Sequence, residues 1–167
     1  MTTVTLIIVL RAVHVLAGVV WAGAMFTLVA TGPLVAGKTS AADAILAVRA
    51  KQKRIAMVTG IAALLTVAAG MALYGMLHSG PQSTGDHILG VAALIAILSF
   101  PVAGIIGGPA NRKLGRLALL LQSEKREPSA GEARVVDALM ARSTLATKIA
   151  AALLAIAVLG MATWRYF

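Results

Sequence analysis

The sequence predicts an all-α integral membrane protein built as a bundle of four membrane-spanning helices. Of its 167 residues, 59% are hydrophobic and only 13% are charged, and the mean hydropathy is +0.90. A soluble domain carries about 25% charged residues, so this chain has too few to cover its surface in water. Its apolar residues also fall into four windows, each near the roughly 20 residues that a bilayer requires.

The four windows predict a single domain that comprises residues 1–167. They cover residues 4–30, 55–77, 88–110 and 149–164. Residues 79–87, between the second and third windows, are rich in turn formers, so spans two and three are predicted antiparallel neighbours. In the third window, Pro101 predicts a kink, and the four-residue spacing of Gly104 and Gly108 predicts close packing of a neighbouring helix.

The basic residues predict the orientation of the bundle. Every Lys and Arg except Arg11 and Arg165 lies between windows one and two or between windows three and four. The positive-inside rule then places both long loops in the cytoplasm and both termini outside, an N-out/C-out protein of the inner (cytoplasmic) membrane. We interpret the net charge of +9 as an insertion signal first and a contact with anionic lipid second. Nucleic acid is not an expected partner.

The two long loops are predicted to be helical extensions into the cytoplasm. Ser40 with Asp43 and Ser129 with Glu132 match the capping box that begins a helix. Helices starting there can continue into windows two and four. The absence of cysteine excludes disulfides, thiolate metal sites and Cys-attached haem.

Arg11 and His14 are the most informative residues of the first window, because an ionisable side chain inside a span costs about 3 kcal/mol at the centre and marks a functional site by default. At 100° per residue, His14, Gly18, Trp21 and Met25 share one helix face, which we expect to face protein. Two interpretations of Arg11 remain open. It extends to the interface, or it holds an anionic group of a cofactor or substrate.

Further polar side chains collect toward the predicted outer side. Met71, Tyr74 and His78 share a face of span two, although packing alone explains such a stripe. Asp86 and His87 are expected to cap span three, and Asp86 could instead orient a liganding histidine. The other five carboxylates lie in the long loops, which excludes an intramembrane carboxylate pair or proton relay. No residue is assigned a catalytic role.

Imidazole and thioether groups leave two cofactors open, haem iron and copper. In the first alternative, His14 and a second histidine ligate haem b, and His78 is preferred to His87 as that second ligand. The haem then serves electron transfer or haem-linked redox chemistry with a quinone or another redox membrane protein. The predicted cofactor-binding residues are Arg11, His14, Trp21, Tyr74 and His78. In the second alternative, copper is bound or transported by His14, Met71, Met76, His78 and His87. The third is an accessory subunit of a membrane complex without a cofactor, and a homo-oligomer is compatible with all three.

The first span also resembles a known family. His14, Trp21 seven residues later, Gly23 and Phe26 resemble the opening helix of the copper resistance D (CopD) family, and a similar His-x6-Trp opening is found in HemJ-type protoporphyrinogen oxidases. The four-span layout is similar as well. This resemblance implies that His14 is the haem or metal ligand, and it leaves open whether the chain is a haem-dependent membrane oxidoreductase.

Overall fold

The computed structural model describes residues 2–31, 41–78 and 83–167, with the backbone alone for residues 31 and 41–52. Every regular element in these ranges is helical. The helices are α1 (Thr3–Thr31), α2 (Ala41–Leu77), α3 (Thr84–Val102), α4 (Gly108–Ser123) and α5 (Ala130–Thr163). A π-helical turn (Ala103–Gly107) joins α3 to α4, and a 3₁₀ turn (Trp164–Tyr166) follows α5.

The prediction of a multi-pass helical membrane protein is confirmed. Four helical segments of the described chain are long and apolar enough to cross a membrane: Thr3–Ala30, Lys53–Leu77, Thr84–Ser123 and Ala130–Tyr166. The third contains 40 residues and the fourth 37, so at a rise of 1.5 Å per residue they are about 55–60 Å long. Because the hydrocarbon core is only about 30 Å thick, both helices extend well beyond it.

The helices associate as two close pairs, α1 with α2 and α3 with α5. The pairs join where α1 packs on α5 and where α4 packs on both α2 and α5. Small residues in the core permit this close approach, while Trp21 and Met25 from α1 and Leu154 from α5 fill its volume. The remaining buried residues of this cluster are all alanine: Ala62, Ala63, Ala96, Ala150 and Ala157.

Capping boxes begin α3 and α5. In the box of α5, Ser129 Oγ accepts the backbone N–H of Glu132 and the Glu132 carboxylate accepts the N–H of Ser129, as predicted. In the box of α3, Ser83 is the N-cap and Asp86 is its partner. The cap predicted from Asp86 and His87 together is therefore made by Ser83 and Asp86. The predicted Ser40 cap lies outside the described residues.

Arg126 organises the connection between α4 and α5. Its Nη1 and Nη2 atoms donate to the two carboxylate oxygens of Glu132 at 2.7 and 2.8 Å, and its Nε donates to Glu124. These hydrogen bonds raise the pKa of Arg126 above its usual range, and the interaction with Glu132 contributes most. The connection thus holds two carboxylates beside one guanidinium.

The predicted packing role of Gly104 and Gly108 is wrong within the described chain. A Cβ atom at either position would meet no atom within 4 Å. Gly107 is the buried glycine, and a Cβ there would lie 3.3 Å from the Ala146 Cβ. The π-helical turn that follows Pro101 explains the difference, because its wider winding changes which residues face α5.

Candidate functional site

His14 lies at the contact between α1 and α2. Its Nδ1 atom is 2.8 Å from the carbonyl oxygen of Thr66. Because a carbonyl oxygen only accepts hydrogen bonds, Nδ1 carries the proton, and in the neutral ring Nε2 then has the free electron pair. Nε2 makes no hydrogen bond to any residue that the structure describes. His14 therefore offers one imidazole nitrogen that can bind a metal.

Gly70 provides the space for this imidazole. A Cβ atom at position 70 would lie 2.8 Å from Cε1 and 2.9 Å from Nδ1 of His14, which is closer than packed atoms approach. One turn along α1, Gly18 faces the Thr66 side chain, where a Cβ would lie 3.6 Å from Thr66 Cγ2. The Thr66 hydroxyl donates to the Ala62 carbonyl at 2.7 Å. Small residues on both helices thus allow the imidazole to lie directly against the α2 backbone.

The other predicted site residues of α1 have different surroundings. Arg11 is exposed and forms no ion pair with a described residue. Trp21 is 3% exposed and packs in the core to which α1, α2, α3 and α5 contribute. Met25 belongs to the same core. The face that carries His14, Trp21 and Met25 turns toward protein, as predicted, and Trp21 serves packing there.

A second polar cluster lies where α2 ends and α3 begins. His78 Nε2 lies 3.2 Å from Asp86 Oδ1, and both side chains are about nine-tenths buried, with 12% and 13% exposed. The His78 ring stacks on Tyr74, with centroids 4.8 Å apart, and meets Trp164 edge-on at 5.5 Å. Arg165 lies over the Trp164 ring. The imidazole therefore links α2, α3 and the turn after α5.

One nitrogen of His78 has no partner. Nε2 faces a carboxylate, which only accepts, so Nε2 carries the proton. Nδ1 is buried and makes no hydrogen bond with any described residue. A buried polar atom without a partner costs free energy. The contacts with Asp86, Tyr74 and Trp164 must offset that cost.

The structure gives His14 and His78 different partners. His14 contacts α2 at Thr66 and Gly70, and Gly70 precedes His78 by eight residues, about 12 Å along a helix. The His14 ring therefore meets α2 about two turns before His78, whose ring instead contacts Asp86, Tyr74 and Trp164. Tyr74, which stacks on His78, belongs to the second cluster.

The residues predicted to hold copper are likewise dispersed. Met71 is 66% exposed on the outer surface of α2, and His87 is exposed on α3. Met76 is half-buried on α2. In the described ranges, no group of three or more His, Asp and Glu residues could hold a metal ion.

Thr66, Gly70 and Trp164 contact the two histidines but were not predicted to do so. Thr66 acts through its backbone carbonyl, which every residue has, and Gly70 acts through the lack of a side chain. Neither leaves a pattern in a single apolar sequence. The contact of Trp164 with His78 joins segments that are far apart in the chain, so no local pattern predicts it.

Comparison with the models of known protein families, with curated proteins and with solved structures found no match to this chain.

Proposed function

We propose that this chain is a haem b-binding membrane protein that takes part in electron transfer, with His14 as an axial ligand. The observation that supports it is the hydrogen bond from His14 Nδ1 to the Thr66 carbonyl. Metal-bound histidines almost always donate their other ring N–H to a carboxylate, a backbone carbonyl or water, which fixes the tautomer and the ring orientation. Here the protein itself supplies that contact, and Nε2 is the nitrogen left for iron.

The described residues fit one axial ligand from this chain better than two. Each of the two rings has one nitrogen without a partner among the described residues. That of His78, Nδ1, is buried, and its ring is covered by Tyr74 and Trp164. His78 also lies about two turns away from the His14 contact along α2. The proposal therefore rests on His14 alone. Haem b bound there would supply a one-electron redox couple, while the protein tunes its potential through the axial ligand and the contacts of that ligand.

Two further features agree with this proposal. Arg11 precedes His14 by three residues, so both lie on the same side of α1, and its exposed guanidinium can pair with a propionate carboxylate. The opening helix also resembles that of families in which the corresponding histidine is a haem or metal ligand. Electron transfer is the function that we propose for this site, and haem-linked redox chemistry, which a haem with one protein ligand also allows, is the alternative.

The first test is the visible absorption spectrum of the protein purified in mild detergent, oxidised and dithionite-reduced, with metal analysis of the same sample. We expect a Soret band that His14→Ala abolishes or shifts and that His78→Ala leaves in place. Both variants lose one imidazole, so each serves as the control for the other. A colourless sample, or one with near-stoichiometric copper and no Soret band, would contradict the proposal.

A second test uses the space that Gly70 provides. Gly70→Ala places a methyl group against the His14 ring, whereas a methyl group at Gly75, on the same helix, meets no atom within 4 Å. We expect Gly70→Ala to shift the Soret maximum or to lower the bound haem several-fold, and Gly75→Ala to leave both unchanged. Equal spectra for the two variants would show that the contact of His14 with α2 is not part of the haem site.

A further inference from the structure

Six exposed basic side chains of the described chain lie where three helices leave their apolar windows. Lys53 and Arg54 begin the apolar part of α2, and Lys148 precedes that of α5. Arg112 and Lys113 follow the apolar part of α3 and the π-helical turn. Arg142 precedes Lys148 in α5 and is therefore farther from the apolar part of that helix. We call these residues the basic belt: Lys53, Arg54, Arg112, Lys113, Arg142 and Lys148.

A hydrogen bond between α4 and α5 holds two parts of the belt at the same level. Ser143 Oγ lies 2.9 Å from Asn111 Oδ1 and donates to it. Arg112 follows Asn111 and Arg142 precedes Ser143, so the two arginines leave neighbouring turns of packed helices. Because α4 also packs on α2, the belt extends over α2, α4 and α5.

The belt has no internal counter-charge. None of its six side chains forms an ion pair with a described residue. Among the described side chains at this end of the bundle, the carboxylates lie at the α4–α5 connection or in the first turns of α5: Glu124, Glu127, Glu132 and Asp137. Two of them are held by Arg126. Positive charge without a partner therefore remains beside the apolar surface.

Exposed apolar side chains continue directly from the belt. They include Met57 and Val58 on α2, Ile105 in the π-helical turn, and Leu145 and Ile149 on α5. A ligand that fits both surfaces carries an anionic head and an apolar tail. We infer that the basic belt binds the phosphate headgroups of anionic phospholipids, whose acyl chains lie along these apolar side chains. This inference is independent of the haem site.

The test measures binding of phosphatidylglycerol to the full-length protein in neutral detergent, by native mass spectrometry and by the thermal unfolding midpoint. Arg112→Gln/Lys113→Gln removes two belt charges. Lys125→Gln/Arg134→Gln removes the same residue types and the same charge nearer the α4–α5 connection. At the helical rise, Lys125 lies about 18 Å past Lys113, and Arg134 lies about 12 Å before Arg142. We expect the belt variant to lose about 5-fold in affinity for each charge removed, and the matched control to bind as the wild type does.

Two further ligands test which parts of the lipid are required for binding. Phosphatidylcholine, which is zwitterionic, and inorganic phosphate, which has no acyl chain, should each raise the unfolding midpoint much less than phosphatidylglycerol. High salt should reduce the phosphatidylglycerol effect, because it screens exposed charge. Equal affinity of the two variants, an equal effect of phosphatidylcholine, or an equal effect of inorganic phosphate would each overturn the inference. A shared unfolding midpoint of both variants in phosphatidylcholine verifies that they fold.

Discussion

The two partly buried histidines lie in opposite chemical surroundings. His14 donates to a neutral backbone carbonyl and leaves Nε2 free, whereas His78 faces a carboxylate and is covered by two aromatic rings. Residue type does not distinguish these cases. The partner atoms decide which ring nitrogen of each imidazole carries the proton.

The joining role of His78 predicts a stability difference between two neighbouring histidines. His78→Leu removes the contact with Asp86 and both ring contacts, so we expect the free energy of unfolding to fall by about 1–3 kcal/mol. His87→Leu changes an exposed side chain and should change it by no more than about 0.5 kcal/mol. Equilibrium unfolding in mixed micelles measures both. Equal losses would show that His78 has no special role.

Among the helices, α3 and α5 pack closely at Gly160. A Cβ atom at Gly160 would lie 2.9 Å from the Ala92 Cβ, and Ala92 is itself buried. Gly104, which resembles a packing glycine in the sequence, has no neighbour at that distance. The local spacing of glycines therefore does not reveal which of them the neighbouring helix touches.

Alanine substitutions at these two glycines should have opposite consequences. We expect Gly160→Ala to lower the free energy of unfolding by about 1–3 kcal/mol, because the added methyl group forces α3 and α5 apart. Gly104→Ala should be neutral within about 0.5 kcal/mol, because its methyl group enters open space. The same unfolding assay compares them. A destabilised Gly104→Ala with an unaffected Gly160→Ala would contradict this packing.

For the whole molecule, the charge distribution predicts that both termini and the α2–α3 end lie on the non-cytoplasmic side of the membrane. It predicts that the α4–α5 end lies in the cytoplasm. The absence of cysteine makes this simple to test with single cysteine substitutions. In intact cells, a membrane-impermeant maleimide should label Thr84→Cys and spare Gln122→Cys, and both should react after lysis. Both side chains are exposed. The reverse labelling pattern would invert the predicted orientation.

Most of the fold could be predicted, whereas the partners within the candidate site could not. The four spans, the cap of α5 and the protein-facing stripe of α1 depend on composition and on the helical repeat, which are local properties. The contact of His14 with Thr66 and that of His78 with Asp86 join different helices. Nothing local to either partner encodes them.

The sequence by itself determined that the chain is helical and multi-pass, because its apolar windows have the length of a bilayer and too few charged residues remain to cover a soluble protein. It also identified His14 as unusual, because an imidazole within an apolar span requires a partner. Only the tertiary structure decided which partners His14 and His78 have and that the two lie at different levels. It also decided that Gly70, rather than Gly104, makes room for a side chain of a neighbouring helix. The physical reason is that these contacts depend on the relative depth and rotation of the packed helices. Side-chain packing among all four spans sets both.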